Sequence, residues 1–148
     1  MYLFLDIDGV LNIKEKHPWD HGKLPAFDKQ CLIELESVLR LHAAKKIKVV
    51  ISSTWRQVYS FKKILSLFSP DVQDMIVGVT PDTYGRIEDY ERQNEVMRYL
   101  NFSGNKDFDW IAIDDDQYHY KLDANLVLTE RYTGFDHKAA FTLTGIIL

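Results

Sequence analysis

Three short apolar runs, each stopping at residues able to do chemistry, constrain this chain more than any other feature. Tyr2 to Leu5 runs into Asp6-Ile7-Asp8-Gly9, Ile47 to Ile51 into Ser52-Ser53-Thr54, and Trp110 to Ile113 into Asp114-Asp115-Asp116. Short apolar runs closed by turn residues are the pattern of strands buried on both faces. Two further runs, Met75 to Val79 and Asn125 to Leu128, read the same way.

Stretches of helical period separate the runs. Asp28 is placed to N-cap a helix over about 28–44, with Leu32, Leu35 and Leu39 on one face. Thr54-Trp55-Arg56-Gln57 has the capping-box form, which predicts a helix from 54 with Val58, Phe61, Leu65 and Phe68 as its stripe, ended by Ser69-Pro70-Asp71. A third helix is predicted over about 88–102, and a last one from about 136 onward, after the Thr133-Gly134 turn. Strands alternating with helices imply right-handed crossovers and a mostly parallel five-stranded sheet. The prediction is one Rossmann-like, three-layer α/β/α domain spanning residues 1–148, without repeats or linkers.

Composition narrows the function classes. At 148 residues and 46% apolar content, the chain can bury one real core. A net charge of −4 argues against sequence-independent binding to a polyanion, although Lys45, Lys46, Lys48, Lys62 and Lys63 can form a weak basic patch. The single cysteine, Cys31, can make neither an internal disulfide nor a cysteine metal site, which suits a reducing compartment. The opening apolar run is broken at Asp6 and lacks a basic flank, unlike a signal peptide, and no run approaches the roughly 18 residues of a membrane span. The expectation is a soluble, cytoplasmic protein with no membrane partner.

Doubly wound sheets bind ligands beyond the carboxyl ends of their strands, at the switch point. With the first strand central and the second and fourth flanking it, Asp6/Asp8, Ser52/Ser53 and Asp114/Asp115 meet in one crevice. Carboxylates gathered there must either raise their pKa values or hold a cation, and oxygen donors without His or Cys suit Mg²⁺. An ion held by Asp6 with Asp114/Asp115 can neutralise and orient a phosphate. Asp6 can attack phosphorus, and Asp8, two residues on, can protonate the leaving oxygen and later activate water. Gly9 permits the tight turn. The Ser52 hydroxyl and nearby backbone N–H groups can bind phosphate oxygens, with Arg92 or Arg86 supplying a cation.

These residues resemble the motifs of the haloacid-dehalogenase-like (HAD) phosphohydrolase superfamily. F-L-D-I-D-G-V-L is similar to its first motif, Val49-Val50-Ile51-Ser52 to its second, and Ile111-Ala112-Ile113-Asp114-Asp115 to its fourth, over nearly the whole chain. The resemblance implies Asp6 as nucleophile and Asp8 as general acid/base. It implies metal ligation by Asp6, the Asp8 carbonyl and one or both of Asp114 and Asp115. The third motif is a single basic residue; Arg92, in Arg92-x-x-Glu95-Val96, is the choice, with Arg86 and Lys106 as alternatives. S-S-T-W-R and R-x-x-E-V also resemble, more loosely, HAD domains of RNA-repair proteins. The second aspartate marks phosphatases and phosphotransferases rather than dehalogenases. The gaps after the first and third strands are too short for a cap domain, which implies an open site suited to a large substrate such as a nucleic-acid end. A flap over about 12–25 would cover it, with His17, Trp19 and His21 within reach of substrate.

Plainer roles compete. Ser53 and Thr54 serve as helix caps as readily as phosphate ligands, Asp116 reads as a solvated neighbour, and Arg56 as a helix-surface arginine. The histidines read as structural or solvated. An EF-hand is excluded, because Gly9 falls too early and no glutamate closes the loop. The functional expectation is a Mg²⁺-dependent phosphomonoesterase acting on nucleotide or nucleic-acid end phosphates. The alternatives are a small-metabolite phosphatase, a phosphotransferase, or an idle metal- or phosphate-binding scaffold.

Overall fold

A computed structural model of the chain describes residues 1–13, 24–83 and 86–148. Its strands are β1 (Tyr2–Leu5), β2 (Lys48–Ile51), β3 (Ile76–Val79), β4 (Trp110–Asp114) and β5 (Leu126–Leu128). They form one sheet in the order β3-β2-β1-β4-β5, parallel throughout. The central place of β1 follows from its side chains: all four are buried, so it can be paired on both edges and covered on both faces.

Alternation along the strands sorts the core into two layers. Leu3 and Leu5 join Val49, Ile51, Ile111 and Ile113 beneath α1 (Lys29–Leu41) and α6 (His137–Ile147). Tyr2 and Phe4 join Val50 and Ala112 beneath α5 (Glu91–Phe102), which contributes Val96 and Leu100. The result is the expected single α/β domain of Rossmann-like form. Asp28 N-caps α1 as expected, accepting from the Cys31 amide at 3.0 Å. Asp136 caps α6 through the Ala139 amide, also at 3.0 Å.

The stretch after β2 departs from expectation. Instead of one helix it forms three short pieces, α2 (Trp55–Val58), α3 (Phe61–Leu65) and α4 (Pro70–Gln73). Thr54 makes no side-chain cap, and Gln57 turns away to donate to Asp82 at 2.7 Å, so the capping box does not form. Tyr59 takes an extended conformation and packs its ring at a tilt against Trp55, 5.6 Å between centroids, while Ser60 starts α3 by accepting from the Lys63 amide. Val58, the expected start of an apolar stripe, is exposed as a consequence. Pro70 opens α4 rather than ending a helix, consistent with its fitness for a first helical position. The preceding Ser69 amide and hydroxyl both donate to the buried Glu36 of α1, at 2.8 and 2.6 Å. α5 also begins later than the periodicity suggests. Glu88 pairs with Arg98 outside the helix, and Tyr90 holds a left-handed φ of 56° just before Glu91.

The flap expected over about 12–25, with His17, Trp19 and His21, lies outside the described residues except at its two ends. Among the described residues no helix is long and apolar enough to cross a membrane.

Phe4 tests the sheet's dependence on its central strand. It is fully buried against Tyr99 and Trp110, at 5.7 and 6.3 Å between ring centroids. Phe4→Ala is expected to cost about 3–5 kcal/mol. The urea midpoint should fall with an unchanged slope, and a loss under 1 kcal/mol would show that the α5 layer does not support the sheet.

Candidate active site

The parallel register sets the site. Leu5 pairs with Ile51 on one side and Ile113 on the other, so the next residues, Asp6, Ser52 and Asp114, form a row at the carboxyl edge. The ladder carries into that row: the Asp6 amide donates to Ile113 at 3.0 Å and the Ser52 amide to Leu5 at 2.8 Å. All three side chains are buried.

Beyond Asp6 the chain makes one tight turn. The amides of Val10, Leu11 and Asn12 converge on the Ile7 carbonyl at 3.1, 2.9 and 2.9 Å. Gly9 holds φ at +75°, and a Cβ built on it would lie 2.3 Å from Asp115 Oδ2. Glycine is therefore required twice here, for the left-handed backbone and for the space Asp115 fills. Thr129, just past β5, fixes the turn by donating to the Gly9 carbonyl at 2.7 Å. The turn also aims Asp8. Its Oδ1 accepts from the Asn12 amide group at 2.9 Å and from the Trp55 indole N–H at 3.0 Å.

Asp6, Asp114 and Asp115 present carboxylate oxygens that all lie within 4.8 Å of one another. Burial, and then repulsion from Asp114, pushes the Asp6 carboxyl well above the ordinary range. Burial likewise raises Asp114, and burial together with Asp114 lifts Asp115 to about 6. Asp114 is partly compensated by the Asp116 amide and the Tyr120 hydroxyl, which donate to its two oxygens at 3.0 Å each. Such an all-oxygen set can hold a hard metal ion.

Arg92 faces the group. Burial works against the charge on Arg92, but Asp6, Glu95 and Asp114 outweigh it and leave its pKa raised. Glu95, on the next turn of α5, accepts from Arg92 at 3.2 Å and from Arg56 at 3.0 Å. Burial raises the Glu95 carboxyl above its ordinary range, and the two guanidiniums pull it back down. Arg56 is thus a buried partner and not the helix-surface residue expected; its other arm donates to the Ser53 carbonyl. The pattern R-x-x-E already placed Arg92 and Glu95 on one helix face, but nothing local announced Arg56 across from them.

Of the other sequence candidates, Ser53 is buried with its hydroxyl accepting from the Trp55 amide at 3.2 Å, so it caps α2 in place of Thr54. Arg86 is exposed, and Lys106, also exposed, precedes β4 and so lies toward the opposite end of the sheet. Asp116 is half-exposed and accepts from the Tyr118 amide at 2.9 Å. Trp55, Asn12, Tyr120 and Thr129 also reach the site, through contacts that no local sequence signal announces. A small cavity of about 130 Å³ runs beside Arg92, between Thr54, Arg56, Glu91 and His119. A wider cleft of about 630 Å³ past β3 shares Arg56 and Gln57 with it but is not lined by the carboxylates.

Two expectations follow. Glu95→Ala leaves two buried guanidiniums sharing no carboxylate, which should cost about 3–5 kcal/mol in chemical denaturation; a loss below 1 kcal/mol would mean the pairs are already screened. The raised carboxyl pKa values set a pH dependence for the metal-free protein. The folded state holds protons that the unfolded chain releases near pH 4, so these groups contribute less stability as pH rises. For Asp115 the decline spans about pH 4 to 6. Melting in EDTA should therefore show Asp115→Asn gaining on the wild type as pH rises through that window, and equal slopes would remove the electrostatic account.

The chain matches, over residues 2–140, the family described as the HAD domain in Swiss Army Knife RNA repair proteins. No curated protein and no solved structure matches it. A match over nearly the full length, on a parallel sheet whose first and fourth strands end in clustered aspartates, places this chain in that HAD family.

Proposed function

We propose that this domain is a Mg²⁺-dependent phosphomonoesterase that works through an aspartyl-phosphate and acts on nucleotide or nucleic-acid end phosphates. The observation that carries this reading is the row at the carboxyl edge: Asp6, with Asp8 beyond it and Asp114/Asp115 beside it, facing Arg92. The family's RNA-repair description supports the substrate class.

On this reading Asp6, the Asp8 carbonyl, Asp114 and Asp115 would hold Mg²⁺, whose charge would offset that of an incoming phosphate. An Asp6 oxygen bonds to phosphorus as the ester P–O bond breaks, and Asp8 gives its proton to the departing oxygen. Asp8 then takes a proton from water, which attacks the acyl phosphate and restores Asp6 with release of phosphate. Asp8 is prepared for this exchange because Trp55 and Asn12 occupy Oδ1, which leaves Oδ2 to carry the proton. Ser52 and Arg92 bind the phosphoryl oxygens; the buried Ser52 hydroxyl has no hydrogen-bond partner among the described residues. Ser53 adds a further donor: its hydroxyl oxygen accepts from the Trp55 amide, which leaves the O–H to give.

The test is hydrolysis of para-nitrophenyl phosphate and of phosphorylated oligonucleotides with Mg²⁺, with EDTA, and in variants. Asp6→Asn should abolish turnover, as should EDTA. Asp8→Asn should cost roughly 10²–10⁴-fold on alkyl phosphates. It should cost much less on the nitrophenyl ester, whose leaving group needs no proton. Turnover that survives Asp6→Asn would exclude the aspartyl-phosphate, and a preference for sugar phosphates over oligonucleotides would exclude the nucleic-acid substrate.

A further inference from the structure

Two segments that reach the carboxylate site continue away from it into a second hollow. Residues 90–92 place Arg92 beside Asp6 and Asp114, Glu91 on the small cavity, and Tyr90 on a cleft of about 450 Å³ along the β5 edge. Residues 118–120 do the same from the other wall: Tyr120 donates to Asp114, His119 lines the small cavity, and Tyr118 lines the cleft. Leu122, Leu126 and Leu128 give the cleft an apolar lining. Tyr118 is 82% exposed, and Leu122 is fully exposed. The wall is nonetheless held in place. The Lys121 amide donates to Gln93 of α5 at 2.8 Å, and the Tyr120 ring is pinned through its hydroxyl. Tyr90 sits at φ 56°, a backbone cost that tyrosine bears in a region favouring glycine.

We propose that this tyrosine-walled cleft binds a nucleobase of the strand whose terminal phosphate occupies the carboxylate site, an inference that rests on the phosphomonoesterase reading above. Planar aromatic ligands stack on tyrosine faces without needing a sequence-specific hydrogen-bond pattern. Gln117 and Lys121 on the same wall offer donors to the base edge or the sugar. Continuity with the site singles out a ligand carrying a phosphate and an aromatic plane on one short framework, which a nucleotide end provides and a sugar phosphate does not.

The test compares a phosphorylated trinucleotide with an otherwise identical abasic trinucleotide phosphate, using the whole chain with Mg²⁺. The wild type should favour the base-bearing substrate by roughly tenfold or more in kcat/KM, mainly through KM. In Tyr118→Ala and in Tyr118→Ala/Leu122→Ala that preference should shrink toward unity, and Tyr118→Phe should restore it. Fluorescence anisotropy of the same labelled oligonucleotides on Asp6→Asn reads the preference without turnover. No base preference in either assay, a preference that survives the double variant, or a phosphopeptide favoured over the trinucleotide would overturn the subsite. Base-dependent binding that Tyr118→Ala removes, without hydrolysis of any ester, would uphold the subsite and reject the phosphomonoesterase reading instead.

Discussion

The pairing of β1 with β2 on one side and β4 on the other decides most of what this molecule can do. Because the three strands share one register, the residues after Leu5, Ile51 and Ile113 stand in line. A slip of one residue in any strand would send its aspartate or serine to the other face of the sheet. The register is protected by burial, since every side chain of β1 would have to leave one apolar layer for the other. The same burial creates the site's electrostatic problem. Asp6 and Asp114 sit where water cannot solvate them, so the surrounding groups serve to limit that cost: Arg92 by charge, Tyr120 and the Asp116 amide by hydrogen bonds.

Trp55 joins this electrostatic edge to the core. Its ring is fully buried between Phe27 and Tyr59, at 5.8 and 5.6 Å, while its one N–H reaches Asp8. That geometry accounts for the broken helix after β2. A continuous helix through 54–68 would carry Tyr59 along the helical path, whereas the extended backbone at Tyr59 lets its ring pack on Trp55. A side chain that looks like ordinary core thus positions a carboxylate, and the helix gives up continuity to hold it.

The strands and the row of functional side chains were legible in the sequence because they depend on local signals: short apolar runs, and polar residues directly after them. The α/β class and the central place of β1 followed from that alternation. What was not legible depends on contacts between distant segments. Arg56 read as a surface residue because its partner Glu95 lies 39 positions away on another element. The capping box at 54–57 matched its pattern, yet Ser53 captured the Trp55 amide and Asp82 captured Gln57. Gly9 read as a turn glycine, which it is; that it also makes room for Asp115 could be seen only once β4 lay beside β1. Tyr120 and Thr129 gave no signal, since a lone tyrosine or threonine after a strand is common.

The charge arrangement also bears on the order of events in the proposed reaction. The guanidiniums of Arg56 and Arg92 share the one carboxyl group of Glu95. Opposite them stand three clustered carboxyl groups. A phosphate dianion arriving first would meet more negative than positive charge at close range and low dielectric, where such repulsion is strong. Burial raises the Asp6, Asp114 and Asp115 carboxyls, with Asp114 adding repulsion at Asp6 and Asp115, so the metal-free site takes up protons more readily than free carboxylates do. A carboxyl that keeps its proton is a poor nucleophile, so the state that tolerates phosphate without metal is not one in which Asp6 can attack. On the proposed reading, Asp6, Asp114 and Asp115 would hold the ion in their ionised form, so its charge would favour the state in which the Asp6 oxygen is free to attack. On the proposed reading, then, the burial that makes the carboxylates costly also makes the nucleophile conditional on the ion.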